Sequence, residues 1–158
     1  MAMIRTPRQF AEIARVGPIA HQARTIDGFV SNRRKTGVVA VALPQEMPVN
    51  ETLQLRDELQ ASGLRIDRVV ANACYPERFT ARDVEALRAA PADDHGPLAR
   101  SAVRAAISEQ ARAREQRAQL RRLRDGFGQK AATLPFVFAP ELDRTALEAL
   151  SRELEEAL

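Results

Sequence analysis

Residues 37–55, "GVVAVALPQEMPVNETLQL", decide the fold. The first half is an unbroken run of β-branched and small apolar residues between Gly37 and Pro44. Such a run reads as a strand of a parallel sheet, buried on both faces by covering helices. Pro44 stops it, because proline fixes φ and has no N–H to give to a ladder. From residue 49 the pattern becomes helical, with Leu53, Leu55 and Leu59 apolar, Asn50 as the expected cap and Gly63 as the stop. A second apolar run, "LRIDRVVANACYP" at 64–76, centres on Val69, Val70 and Ala71. Strand, helix and strand in so short a stretch form a βαβ unit, so the two strands should be parallel with a right-handed crossover.

Upstream, "TPRQFAEIARVGPIAHQARTIDGFVSN" at 6–32 repeats apolar residues at three- and four-residue steps: Phe10, Ile13, Val16, Ile19, Ala23, Ile26 and Val30. It predicts one helix capped by Thr6, with Pro7 at its first position and a kink at Gly17-Pro18. Its stripe is expected to be core. Downstream, "FTARDVEALRAA" predicts a short helix capped at Thr80 or by Asp83, and "PADDHG" a loop. Residues 97–128 predict a long helix stopped by Gly126 and Gly128. "ATLPFVFAP" predicts a third strand, and Asp143 caps a closing amphipathic helix.

The fold class is therefore α/β: a short three-stranded parallel sheet, five flanking helices and a long basic helix among them. We expect a single domain over 1–158, with a helical segment at 1–35 and an α/β segment at 36–158. Three strands are few for such a sheet, since five or six are usual. The open edges of so small a sheet call for a cover or a pairing partner.

The composition, 45% hydrophobic and 28% charged, is that of a globular chain, and the net charge of +3 is mild. The one cysteine, Cys74, excludes an internal disulfide and any cysteine-rich metal site. No apolar run approaches the roughly 20 residues of a bilayer span, and the N-terminus lacks a signal-peptide core. The expected location is the cytoplasm. The long helix carries nine basic side chains against three acidic ones over residues 98–130. Nucleic acid is nevertheless not the expected partner. Aromatic residues make up only 4% of the chain, few for base stacking, and no recognition-helix motif accompanies the charge.

The sequence holds no GxxxxGK[ST], GxGxxG, HExxH, CxxC or GxSxG. His21 on a helix and His95 in an acidic loop read as structural or solvated. What remains is three strand mouths: Pro44-Gln45-Glu46, Asn72-Ala73-Cys74 and Phe138-Ala139-Pro140. In a parallel sheet all three lie on one rim, where open α/β sheets bind ligands. Asn72 ends an otherwise apolar strand. Its amide, both donor and acceptor, suits a purine edge, and equally suits a neighbouring backbone group of the turn.

Taken together, "LPQEMPVNETLQL", "IDRVVANACYP" and "LPFVFAPEL" resemble the C-terminal half of ArsA/GET-type ATPases, nearest to the bacterial anion-transporting branch. The resemblance implies a partial P-loop NTPase-type fold and a dimer that sandwiches ATP. It implies that Asn72 contacts adenine and that Pro135 and Phe136 line the base. It also makes residues before the first strand part of a helical subdomain, which in targeting members holds membrane-protein clients. The P-loop, the switch segments and the metal-binding cysteines of such proteins have no counterpart here. The resemblance thus implies the C-terminal portion of an ATPase, supplying adenine contacts and oligomer surface. Mg²⁺ is expected only with a P-loop, and the chain alone is expected to be inactive. The alternative is a non-enzymatic module that pairs, as homo- or hetero-oligomer, with a P-loop-bearing chain.

Overall fold

The computed structural model describes residues 2–89 and 96–157, with side chains from residue 6 onward. The expected loop around His95 lies outside them. In chain order the elements are α1 (Ala2–Ala14), α2 (Pro18–Val30), β1 (Val39–Ala42), α3 (Glu46–Gln60) and β2 (Arg68–Cys74). There follow α4 (Ala81–Ala89), α5 (Pro97–Phe127), β3 (Ala132–Pro135) and α6 (Arg144–Ala157). The three strands form one parallel sheet in the order β1-β2-β3. The βαβ reading holds; the third strand is present but ends at Pro135, short of the mouth expected at 138–140.

The first helix does not kink at Gly17-Pro18; it breaks. α1 ends at Ala14, Arg15 and Gly17 take positive φ, and Pro18 opens α2. Glycine adopts that backbone freely, and proline suits the first turn of a helix because its missing N–H has no partner there anyway. The result is a hairpin and six helices among the described residues. Thr6 is not the cap, since α1 already runs from Ala2 and holds Pro7 inside it. The two helices pack on each other and on no other described helix or strand. Only Ala20 and Ala23 are buried in α2. The stripe expected as core is open: Ile13 is 79% exposed and Val16 83%.

The α/β part is built differently. Val49, Leu59 and Leu123 are fully or almost fully buried, packed with Ala40, Val69 and Ala71 of the sheet. α3 and α5 thus cover the face carrying Ala40, Val69 and Ala71. Register puts Val39 and Val41 of β1 on the opposite face, with Val70 and Ala132. Val70 and Ala132 are buried there, but Val39 is 53% exposed and Val41 64%. The expectation of burial on both faces therefore fails for β1, while Val69, Val70 and Ala71 of β2 are buried on both. β1 is an edge strand with one bare face.

Smaller departures have local causes. Asn50 does not cap α3, which starts at Glu46 behind an extended Gln45. Asn50 instead accepts a hydrogen bond from Arg122 of α5 at 2.6 Å. Gly126 does not stop α5 but lies inside it; Gly128, at φ 67°, ends it. At Gly126 a Cβ would run into Leu53 of α3, and the bare carbonyl accepts from Arg56. Glycine is there for close approach of two helices. Thr80 and Asp83 form a reciprocal capping box on α4: Asp83 takes the Thr80 N–H and hydroxyl at 2.7 Å each, and the Thr80 hydroxyl accepts the Asp83 N–H at 3.2 Å. Those bonds hold the Asp83 carboxyl below its usual range. Asp143 caps α6 through the Ala146 N–H at 2.8 Å.

Candidate functional site

The carboxyl ends of the three strands meet as the parallel order requires. β2 pairs residue for residue with β3 up to Ala71, then a bulge intervenes and Cys74 faces Pro135. The Phe136 N–H donates to the Cys74 carbonyl at 2.8 Å. At the bulge Ala73 takes φ 60°. An L-residue pays about 1–2 kcal/mol for that left-handed backbone, so the surroundings must hold it. They do so from both sides. Asn72 Oδ1 accepts the Ala73 N–H at 2.9 Å. Gln116 of α5, only 8% exposed, donates from Nε2 to the Ala73 carbonyl at 3.0 Å and accepts the Tyr75 N–H on Oε1 at 2.6 Å.

Tyr75, aimed by this turn, stacks on Phe136 with centroids 4.9 Å apart and planes 19° from parallel. Phe138 meets both rings edge-on, at 5.6 and 4.9 Å. Arg112 lies over the Tyr75 ring at 5.6 Å and donates to its hydroxyl at 2.8 Å. Arg78 lies 4.7 Å over Phe138. Beside this aromatic cluster opens a cleft of about 640 Å³, of a size suited to a small ligand. Leu43, Pro44, Gln45 and Glu46 form one wall; Ala73, Tyr75 and Phe136 form another. Arg112, Glu115, Gln116 and Gln119 of α5 close it.

Of the residues expected at the site, Phe136 lines the cleft. Asn72 and Pro135 sit on the same rim, each one residue from a lining residue, without lining it themselves. The Asn72 carbonyl oxygen serves the turn, which leaves its NH₂ for other partners. Two of the three expected strand mouths contribute lining; β3 ends at Pro135, so its mouth is Phe136, which also lines the cleft, and Phe138 beyond it joins the cluster. Cys74 is half-buried, and burial pushes its thiol up from the ordinary range, away from a reactive thiolate. Among the described residues no group of three or more His, Cys, Asp or Glu could hold a metal ion.

Sequence reasoning missed Tyr75, Arg112 and Gln116. Tyr75 could have been found as the chain's one tyrosine, just past a strand end. Gln116 gave no signal among the arginines and glutamines of α5. Those arginines do not make a uniform basic face. Arg112 serves Tyr75, Arg117 pairs with Glu77, and Arg122 bonds Gln119 and Asn50. Arg114, Arg117 and Arg121 line a second, polar cleft of about 730 Å³ beside Thr80.

A parallel α/β sheet with a ligand-sized cleft at the carboxyl ends of its strands is an arrangement used by nucleotide-binding proteins. A model of the anion-transporting (ArsA) ATPase family matches residues 2–95, the stretch from α1 through β2 and α4. That is more than half of the chain, and the chain belongs to this ATPase family. The match includes Asn72 and ends before α5, Pro135 and Phe136. No curated protein matches the chain. Among the described residues no helix is long and apolar enough to cross a membrane.

Proposed function

We propose that the chain supplies the base-binding half of an ATP site in an ArsA-type ATPase. The phosphates and Mg²⁺ fall to a P-loop carried on another stretch of polypeptide. The observation that carries this reading is the bulge register, which brings Asn72–Tyr75 and Pro135–Phe136 to one rim beside a cleft. An adenine ring fits the chemistry offered there: the aromatic side chains of Phe136 and Tyr75 in the lining, amide or carboxylate groups at Gln119 and Glu115 for its edge, and the Asn72 NH₂ on the rim beside them. Tested by NMR titration, the chain should bind adenosine and ATP with affinities within about tenfold of each other, because little here grips phosphate. Asn72→Ala should weaken both. ATP bound far more tightly than adenosine, or steady ATP hydrolysis by this chain, would overturn the division of labour.

A second observation favours an oligomeric setting for the site. Among the described residues β1 leaves one edge unpaired and Val39 and Val41 bare, which suits a further strand and a covering layer from a P-loop-bearing chain. In the same reading the hairpin groove, about 360 Å³ between Pro7, Phe10, Ile19, Ala23 and Ile26, is where an apolar helix of a membrane-protein client would lie. Gel filtration with a P-loop partner checks the first point, since a chain that stays monomeric beside it has no such edge role. The cytoplasm is the compartment this reading requires.

A further inference from the structure

We infer that Gln116 is the positioning residue of the cleft: it sets the Asn72–Tyr75 turn and thereby aims the Tyr75 ring. The inference rests on the base-pocket reading only for its ligand. Four observations converge on it. Gln116 is the one buried amide side chain of the described α5. Both ends of that amide are engaged, one with the Ala73 carbonyl and one with the Tyr75 N–H. The residue it grips, Ala73, holds a left-handed backbone that alanine does not favour. The ring that leaves the turn is the one stacked on Phe136 and topped by Arg112.

Pairing with β3 skips from Ala71 to Cys74, so Ala73 has no ladder partner, and Tyr75 lies just past the end of β2. Two backbone groups would be left without a bond in a half-buried turn. A single amide fits both, because it carries a donor and an acceptor side by side without needing to be protonated. Remove it and the turn can relax toward ordinary β backbone, which swings Tyr75 off Phe136. The consequence for binding is loss of the flat wall with the sheet left intact.

Tyr75 is the chain's one tyrosine, so its ring signals in an NMR spectrum identify themselves. The experiment follows the Tyr75 amide exchange rate and ring shifts, with adenosine as the added probe, in Gln116→Leu and Gln116→Glu. In Gln116→Leu the Tyr75 amide should exchange about tenfold faster or more, the ring shifts should lose their stacking displacement, and adenosine should bind about tenfold more weakly. Amides of β1 should keep their protection. Gln116→Glu separates positioning from mere packing. As a carboxylate it can still accept the Tyr75 N–H, but it faces the Ala73 carbonyl oxygen with no proton, so the ring shifts and adenosine binding should fall toward those of Gln116→Leu. When acid protonates it, the carboxyl again donates to Ala73 and accepts from Tyr75, and the wild-type ring shifts should return. Unchanged Tyr75 exchange in Gln116→Leu, or a Gln116→Glu spectrum without acid rescue, overturns the inference. A wild-type chain that takes no adenosine sinks the pocket reading alone, and the exchange and ring-shift readouts still decide the role of Gln116.

Discussion

The hairpin of α1 and α2 and the α/β body carry apolar stripes of the same helical period, yet bury them to opposite extents. In the body, α3 and α5 press their stripe on the sheet, and Leu59 is fully buried. In the hairpin, two alanines are the buried contact residues of α2, while Ile13, Val16 and Ile19 face outward. A helix of period 3.6 says that one face is apolar; it does not say what that face meets. The body supplies its own partner in the sheet. The hairpin, packed only on itself among the described elements, has no second layer to bury against.

The largest test of this contrast is a matched pair of truncations. Leu59→Ala opens a cavity in the closed layer and should cost about 2–5 kcal/mol in urea unfolding. Ile19→Ala removes comparable carbon from an exposed site and should change stability by less than about 0.5 kcal/mol. Equal losses would mean that the hairpin groove is closed in solution, and the contrast would fail. Next in size is Gly126→Ala, which places a methyl group against the Leu53 side chain of α3. Forcing the layer apart should cost about 1–3 kcal/mol. A neutral result would show the body to be as loosely packed as the hairpin.

How much of this could be read in the sequence follows from the same contrast. The βαβ unit was legible because two apolar runs, a proline stop and the glycine at 63 all state local rules. A cap at Thr80 or Asp83 and the cap at Asp143 were legible for that reason too, though not that Thr80 and Asp83 cap reciprocally. The split face of β1 was not, since its alternation of alanine and valine looks uniformly apolar and only the absence of a cover at Val39 and Val41 separates the faces. Gly126 was misread because a glycine near a helix end serves as a stop or as a contact point, and the choice depends on Leu53, more than seventy positions earlier in the chain. At the site, strand ends and rim were readable from parallel order. The turn between Asn72 and Tyr75 was not, because it depends on an amide forty-odd residues away whose neighbours are all polar.

The smallest expected effect lies at the seam between the two regions. Asp67, before β2, accepts the Val38 N–H on Oδ2 at 2.9 Å and the Arg65 side chain on Oδ1 at 2.9 Å, while its own N–H donates to the Val38 carbonyl at 2.8 Å. It therefore fixes where the chain leaving the hairpin enters β1. The Val38 bond first, and Arg65 second, hold its carboxyl below the usual carboxylate range. A depressed folded value means that the contribution is present at pH above the unfolded value, near 4, and is lost as pH falls through the folded one. The side chain is about one-third exposed, so solvent screening keeps the effect below about 1 kcal/mol. Asp67→Asn retains an acceptor for Val38 and removes the charge. Its stability deficit in urea should be visible at neutral pH and should shrink on the acid side, where wild type is protonated as well. A deficit that persists unchanged into acid would show that shape, not charge, joins the hairpin to the sheet.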